Sequence, residues 1–404
     1  MLIRALAAAL PLLFLVVPAY SVPAHADRVR GGQTGALGMI GINQAWRETK
    51  GDGVLVAVLD SGVDPGHRDL AGSVRVGRDF TKGANPPGVR PQRLHGTYMA
   101  SLIAGHGHGP GGRDGVIGVA PEAGILSVRV ILEDDEPGFK TFNMDERYEG
   151  VMARGIRYAV EEGADVINLS IAKGAATEDD RAAVAYAISN NVVLVAAAGN
   201  DGAEDAGGHY SYPASLPGVI SVAAVTGTMQ RAFFSTRNAS VMLAAPGVDI
   251  LGAGPGDEYW VGRGTSQATA LVSGVAALIK AKYPKMSPAL VAQALAGSAV
   301  APKGAGYNTG TGFGVVNAGR ALAAAARLAG HRPTASGKEA HDPDRPFSAA
   351  SPEPIAMVQR DRRMITLYGA AGAAGLIGAG GSVAVIVVCA RRARRREASP
   401  EIAT

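Results

Sequence analysis

Ser266 stands in a small-residue turn, Gly264-Thr265-Ser266-Gln267-Ala268, at the head of a segment in which Leu271, Val275, Leu278 and Ile279 recur at helical spacing. A serine hydroxyl delivered there has the positive end of a helix beneath it, where developing negative charge is stabilised. Two readings stand for it: a nucleophile, or an N-cap that satisfies free N–H groups of the helix. A serine nucleophile needs a base, and histidine is the usual one. Among the eight histidines, His95 enters an apolar helix through the turn His95-Gly96-Thr97. The base in turn needs a carboxylate to hold its tautomer. Asp60 follows the buried apolar run Val54–Leu59 and precedes Ser61-Gly62, at what reads as a strand end. An oxyanion at the serine needs a donor besides the serine's own N–H. Asn200 supplies an amide directly after Ala196-Ala197-Ala198-Gly199, although taken singly it reads as a turn residue.

The other histidines fit blander roles. His67, in His67-Arg68-Asp69-Leu70, reads as fixing a loop, and His209 is isolated. His106 and His108 offer two metal ligands, but no carboxylate or further histidine joins them at motif spacing. A flexible glycine-rich loop is the expectation there, and no metal site is assigned.

The elements that would position these residues follow from the apolar runs. Ile125–Val130, Val166–Leu169, Val192–Ala197 and Val219–Val225 resemble Val54–Leu59 in being uninterrupted, as strands buried on both faces are. Helical patterns over Arg147–Glu162 and Asp179–Asn190 lie between them. This alternation predicts an α/β fold, a mostly parallel sheet flanked by helices, with chemistry at the carboxyl ends of the strands. Ser287-Pro288 starts a helix over Ala289–Ala296, and Asn317 opens a last one running through Leu328.

Composition bounds the rest. The chain has 404 residues, 47% of them hydrophobic and 18% charged, enough for one large domain with appendages. The net charge of +4 is concentrated in Arg391, Arg392, Arg394, Arg395 and Arg396, so the near-neutral body gives no case for nucleic-acid binding. A single cysteine, Cys389, excludes an intramolecular disulfide. Residues 1–26 read as a secretory signal: Arg4, an apolar stretch from Ala5 to Val17, and Ala24-His25-Ala26 as a cleavage pattern. Residues 27–40 form a short extension and 41–330 the folded domain. Residues 331–363 carry Pro333, Pro343, Pro346, Pro352 and Pro354 among polar residues and read as an extended linker. Residues 364–390 hold no charge and are long enough for one transmembrane helix. Ala370, Ala374 and Gly378 repeat there at small-xxx-small spacing, either a helix-packing face or plain composition. The basic tail, 391–404, favours a cytoplasmic C-terminus and an extracellular domain at the cell membrane. Cys389 at the inner edge is either an acylation site or an apolar filler.

Asp60-Ser61-Gly62, His95-Gly96-Thr97, Gly199-Asn200 and Gly264-Thr265-Ser266 occur in the order Asp, His, Ser known from subtilisin. With Gly118-Val119-Ala120-Pro121, Asp165-Val166-Ile167-Asn168-Leu169-Ser170 and Ala244-Ala245-Pro246-Gly247, the chain from Gly41 to Gly330 resembles the subtilisin-like serine proteases. The resemblance implies a subtilisin-like three-layer fold. It also implies a serine endopeptidase acting on protein or peptide substrates through Asp60, His95 and Ser266, with Asn200 in the oxyanion hole. Ser170, Ile171, Ala172, Lys173 and Gly174 would pair with substrate as an added strand, while Ala196, Ala197, Ala198 and Gly199 would wall the first specificity pocket.

Three departures stand out. Gln267-Ala268-Thr269-Ala270 lacks the proline usual after the serine, little lies between Ala26 and Gly41 where many members carry a propeptide, and the family's common calcium loop is not recognisable near Gly111–Gly115. No cofactor is therefore assigned, and calcium is left open. The layout of signal, protease, linker, span and tail resembles the mycosins, membrane-anchored proteases associated with type VII secretion. That implies membrane proteins of a secretion complex as partners, although the cysteine pairs and longer extension of mycosins are missing. Glu133, Asp134, Asp135 and Glu136 follow the strand bordering the substrate cleft and stand either as a basic-residue selector or as a solvated acidic loop.

Overall fold

Side chains along the first strand divide by alternation. Val56 and Val58 enter one hydrophobic core and Ala57 and Leu59 another. Val193 and Val195 against Leu194 and Ala196 repeat the pattern. A sheet buried on both faces requires apolar residues at both parities, which is why these runs are uninterrupted.

The computed structural model describes residues 28–202, 209–301 and 306–330, with helical positions at 366, 370, 375, 381–382 and 385–391. In chain order the elements are α1 (Arg28–Met39), α2 (Ile42–Ala45), β1 (Leu55–Asp60), β2 (Val74–Asp79), α3 (Leu94–Ala104), β3 (His106–His108), β4 (Asp114–Ile117) and β5 (Gly124–Arg129). There follow α4 (Phe139–Met144), α5 (Val151–Glu161), β6 (Val166–Leu169), α6 (Glu178–Ser189), β7 (Val193–Ala197), β8 (Ile220–Val225) and β9 (Leu243–Pro246). The last are β10 (Ile250–Ala253), β11 (Tyr259–Gly262), α7 (Thr265–Lys282), α8 (Pro288–Ser298) and α9 (Ala318–Ala329). Seven strands form one sheet in the order β2-β5-β1-β6-β7-β8-β9, and every adjacent pair in it is parallel. β3–β4 and β10–β11 are antiparallel two-stranded ribbons.

One face of the sheet packs against α3 and α7, the other against α5 and α6. Every residue of α7 from Thr265 to Lys280 is buried. Its small side chains permit close approach, and a Cβ on Gly274 would lie 2.5 Å from Cβ of Val119. The helix runs on unbroken through Ala270, without the expected proline. Thr269 is buried and donates its hydroxyl to the Thr265 carbonyl at 2.7 Å, which satisfies a polar group inside this apolar helix. The extension expected over 27–40 is largely α1, and its buried Gln33 exchanges hydrogen bonds with Ile117 on β4.

The expected signal, the linker and all of the basic tail but Arg391 lie outside the described residues, as does most of the expected span. Among the described residues, no helix is long and apolar enough to cross a membrane.

Candidate active site

Asp60 is the last residue of β1, fully buried, and β1 lies inside the sheet between β5 and β6. His95 is the second residue of α3. Its ring Nδ1 lies 2.8 Å from Oδ1 and 3.0 Å from Oδ2 of Asp60. Asp60 Oδ1 also accepts the Ser61 N–H at 2.7 Å, and Ser61 Oγ accepts the Gly96 N–H, so strand end and helix start are tied together. The close approach needs Gly96, since a Cβ there would collide with the Gly62 carbonyl. Burial alone would lower the imidazole, but the charges of Asp60, Glu133 and Asp134 outweigh it and raise His95 from 6.5 to about 8.

Ser266 is the second residue of α7, and the N-cap is Gly264. The cap reading of the serine therefore fails. Gly264 has no side chain to claim the first N–H groups, and the Thr265 N–H donates to Asn200 Oδ1 at 2.9 Å. The Thr265 hydroxyl donates to the same oxygen at 3.0 Å. Two donors on one amide oxygen fix the orientation of Asn200, leaving its Nδ2 as a donor beside Gly264. The Ser266 N–H, in the first turn, has no partner among the described residues. Both are N–H donors at one helix start, the kind of group that stabilises an oxyanion.

The Ser266 hydroxyl donates to the Ser170 carbonyl at 3.1 Å rather than to His95, whose Nε2 has no hydrogen-bond partner among the described residues. Such hydrogen bonds often form only with substrate present. Beneath them runs a buried relay. Ser273 donates to Asn168 at 2.9 Å, Asn168 to Ser170 Oγ at 3.0 Å, and Ser170 Oγ to the Ser266 carbonyl at 3.0 Å. It pins the start of α7 to the end of β6. Ser273 carries no local signal for this role, since its partner is 105 residues away.

The family model described as the subtilase family matches residues 51–314, which contain all of these groups. The chain belongs to that family. An intracellular serine protease from Paenibacillus polymyxa is 36% identical over 245 residues, 60% of this chain and 71% of that protein. Subtilisin E from Bacillus subtilis is 36% identical over 249 residues, and the match spans 62% of this chain but only 61% of subtilisin E. Among solved structures, MycP1 from Mycobacterium smegmatis aligns with a TM-score of 0.61 and 27% identity, covering 75% of this chain and 86% of that one.

The expected substrate edge of the subtilase is narrower than the motif implies. Lys173 exchanges both backbone hydrogen bonds with Tyr212 at 2.9 Å, and its ammonium pairs with Asp180. Backbone groups of Ile171 and Ala172 make no hydrogen bond among the described residues, so the open edge runs from Ser170 to Ala172, with Gly174 beyond the Tyr212 pairing. A cavity of about 550 Å³ adjoins it, lined by Ile171, Ala172, Val130, Phe142, Tyr148 and Met152 among others. The segment carrying α4, which supplies Phe142, gave no sequence signal for lining this cavity. Ala196 and Ala198 belong to two different core clusters, and Ala197 is buried as well. Gly199 has φ +106°, and a Cβ there would lie 2.5 Å from Ser211 Oγ, so glycine is required before Asn200.

Two sequence expectations are corrected. Of the acidic stretch, Glu136 is buried in an ion pair with Arg129 at 2.6 Å and Glu133 accepts the His95 N–H at 2.8 Å, leaving Asp134 and Asp135 exposed. Four free acids do not face the cleft. His106 and His108 lie on a paired strand rather than in a flexible loop. His108 Nδ1 is 2.6 Å from Asp69, and both His106 nitrogens face carbonyls. His67 is buried edge-on against Tyr259 at 5.5 Å, as a loop-fixing residue would be.

The calcium common in the family does not fit this loop. The guanidinium of Arg30 on α1 donates to the carbonyls of Gly112 and Gly115 at 3.0 Å and of Asp114 at 3.2 Å. Asp69 is committed to His108, Val116 and Tyr259. The oxygens a hard cation would take are already bound to an internal one.

Proposed function

We propose that this subtilase is a membrane-anchored extracytoplasmic serine endopeptidase. The observation that carries the reading is the His95–Asp60 pair beside a helix start whose Ser266 and Asn200 donors are unclaimed. A substrate strand lies along Ser170–Ala172 and offers its N–H to the Ser170 carbonyl, the group that holds the Ser266 hydroxyl at rest. The displaced hydroxyl turns to His95 Nε2, which takes its proton as Oγ attacks the carbonyl carbon. Asp60 keeps the Nδ1–H tautomer and stabilises the imidazolium. The oxyanion accepts from Ser266 N–H and Asn200 Nδ2–H. His95 then gives its proton to the leaving amine, the C–N bond breaks, and an acyl-Ser266 remains. Water attacks that ester by the same proton route and regenerates the serine. The cavity beside Ile171, lined by Phe142, Tyr148 and Met152 but also by Asp145, Glu146 and Glu149, adjoins the substrate strand upstream of the cut.

The test compares wild type with Ser266→Ala on an unfolded protein. In subtilisin, loss of the serine costs about a millionfold in turnover, so equal cleavage by both would end the reading. Fluorophosphonate labelling of Ser266 on intact cells checks outward orientation, for which the sequence of residues 1–26 and 364–390 is the support. A second reading, a mycosin-like component of a type VII secretion complex with proteolysis secondary, is favoured by the likeness to MycP1. It fails if Ser266→Ala abolishes the cellular role while protein level and membrane partners stay normal.

A further inference from the structure

Ser266 is bracketed by two different surfaces. On one side is Ser170, the start of the open edge. On the other the chain arrives through β11, Arg263 and Gly264. The side chains of Trp260 on β11 and Leu94, the neighbour of His95, both border Gly254, so this second surface adjoins the base. The base protonates the leaving amine, and the half of the substrate that departs therefore lies on the β11 side.

Arg263 is exposed there, three residues before the serine. Its guanidinium sits 5.6 Å from the ring centroid of Phe233, which is 61% exposed. No carboxylate pairs with it among the described residues. The platform is stiff. Arg231 donates to the carbonyls of Ala232 at 3.3 Å, Phe233 at 3.4 Å and Ser235. The same loop is tied to the oxyanion side, with Thr236 N–H on the Gly199 carbonyl at 3.0 Å and Gly202 N–H on the Phe234 carbonyl at 2.8 Å. A planar cation over a ring, with no carboxylate paired to it among the described residues, is suited to a carboxylate.

We propose that Arg263, held on Phe233, receives an acidic side chain in the leaving half of the substrate. This rests on the proteolytic reading of Ser266. The interaction is exposed and equally available in ground and transition state, so it acts on KM more than on kcat.

The experiment uses internally quenched peptides identical except for Glu, Gln or Lys at the first or second residue after the cut, with the cut mapped by mass spectrometry. Wild type prefers Glu over Gln by about threefold to fivefold in kcat/KM, the range of an exposed ion pair, and the preference fades at high salt. Arg263→Ala brings the ratio to about one, and Arg263→Glu turns the preference towards Lys. A wild-type ratio of one, or a preference that survives in Arg263→Ala, overturns the proposal. Unfolded casein separates the two levels. Casein cleaved without a Glu preference removes only the role of Arg263, whereas casein and peptides left intact by wild type remove the protease reading and this inference together.

Discussion

Glu133 accepts the backbone N–H of His95 at 2.8 Å. One carboxylate thus both anchors the first turn of α3 and adds negative charge beside the imidazole.

That relationship sets a pH dependence. In the proposed mechanism His95 is a base only when neutral, so kcat/KM is expected to rise with pH through an apparent midpoint near 8. Glu133→Gln keeps an acceptor oxygen but removes a charge that favours the imidazolium, and the midpoint moves down. A pH–rate profile of both proteins checks this, and an upward or absent shift contradicts it. Stability has the related sign. The folded value lies above 6.5, so His95 contributes stability fully present below about 6.5 and lost as pH rises through 8.

Asn200 carries two separable roles. Its Oδ1 accepts from Thr265, and its Nδ2 remains as a donor. Asn200→Asp keeps the acceptor and removes the donor. The expected outcome is a fall in kcat of about a hundredfold to a thousandfold, the scale measured for such a donor in subtilisin, with KM and Tm little changed. A kcat within tenfold of wild type counts against the assignment.

Arg30 predicts an unusual response to chelators. With the Gly112, Asp114 and Gly115 carbonyls already bound to its guanidinium, the wild-type Tm is unmoved by a calcium chelator. Arg30→Ala loses charge-assisted bonds to three carbonyls, a net cost of about 2 kcal/mol, and lowers Tm by about 5 °C. Calorimetry with and without chelator reads both effects.

Gln267 offers a test by gain. Its side chain lies by the hydroxyl of Tyr98, a group that burial pushes up to about 12, while its Oε1 is buried without a partner. Gln267→Met is close in volume and removes the orphaned acceptor, and Tyr98 still donates to the Ile250 carbonyl. Stability rises by about 1 kcal/mol in denaturant titration. A loss of that size would mean the contact with Tyr98 outweighs the orphan.

The residues the sequence determined by itself are those whose roles are written in local backbone shape. Uninterrupted apolar runs marked β1, β5, β6, β7 and β8, because a strand buried on both faces has no polar parity. Asp60 at a strand end, and His95 and Ser266 at small-residue helix starts, were legible for the same reason. The edge strand β2 was not, since Val74–Asp79 carries Arg75, Arg78 and Asp79 and none of its residues is buried. Tertiary structure decided what depends on partners far along the chain. It made Gly264 rather than Ser266 the cap, spent Glu133, Glu136 and Lys173 on internal contacts, and brought Arg30 to a loop more than 80 residues away. A hydrogen bond between distant segments leaves no periodicity in either one. Only the packing of α1 on β4 and of α7 under β6 decides which polar group meets which.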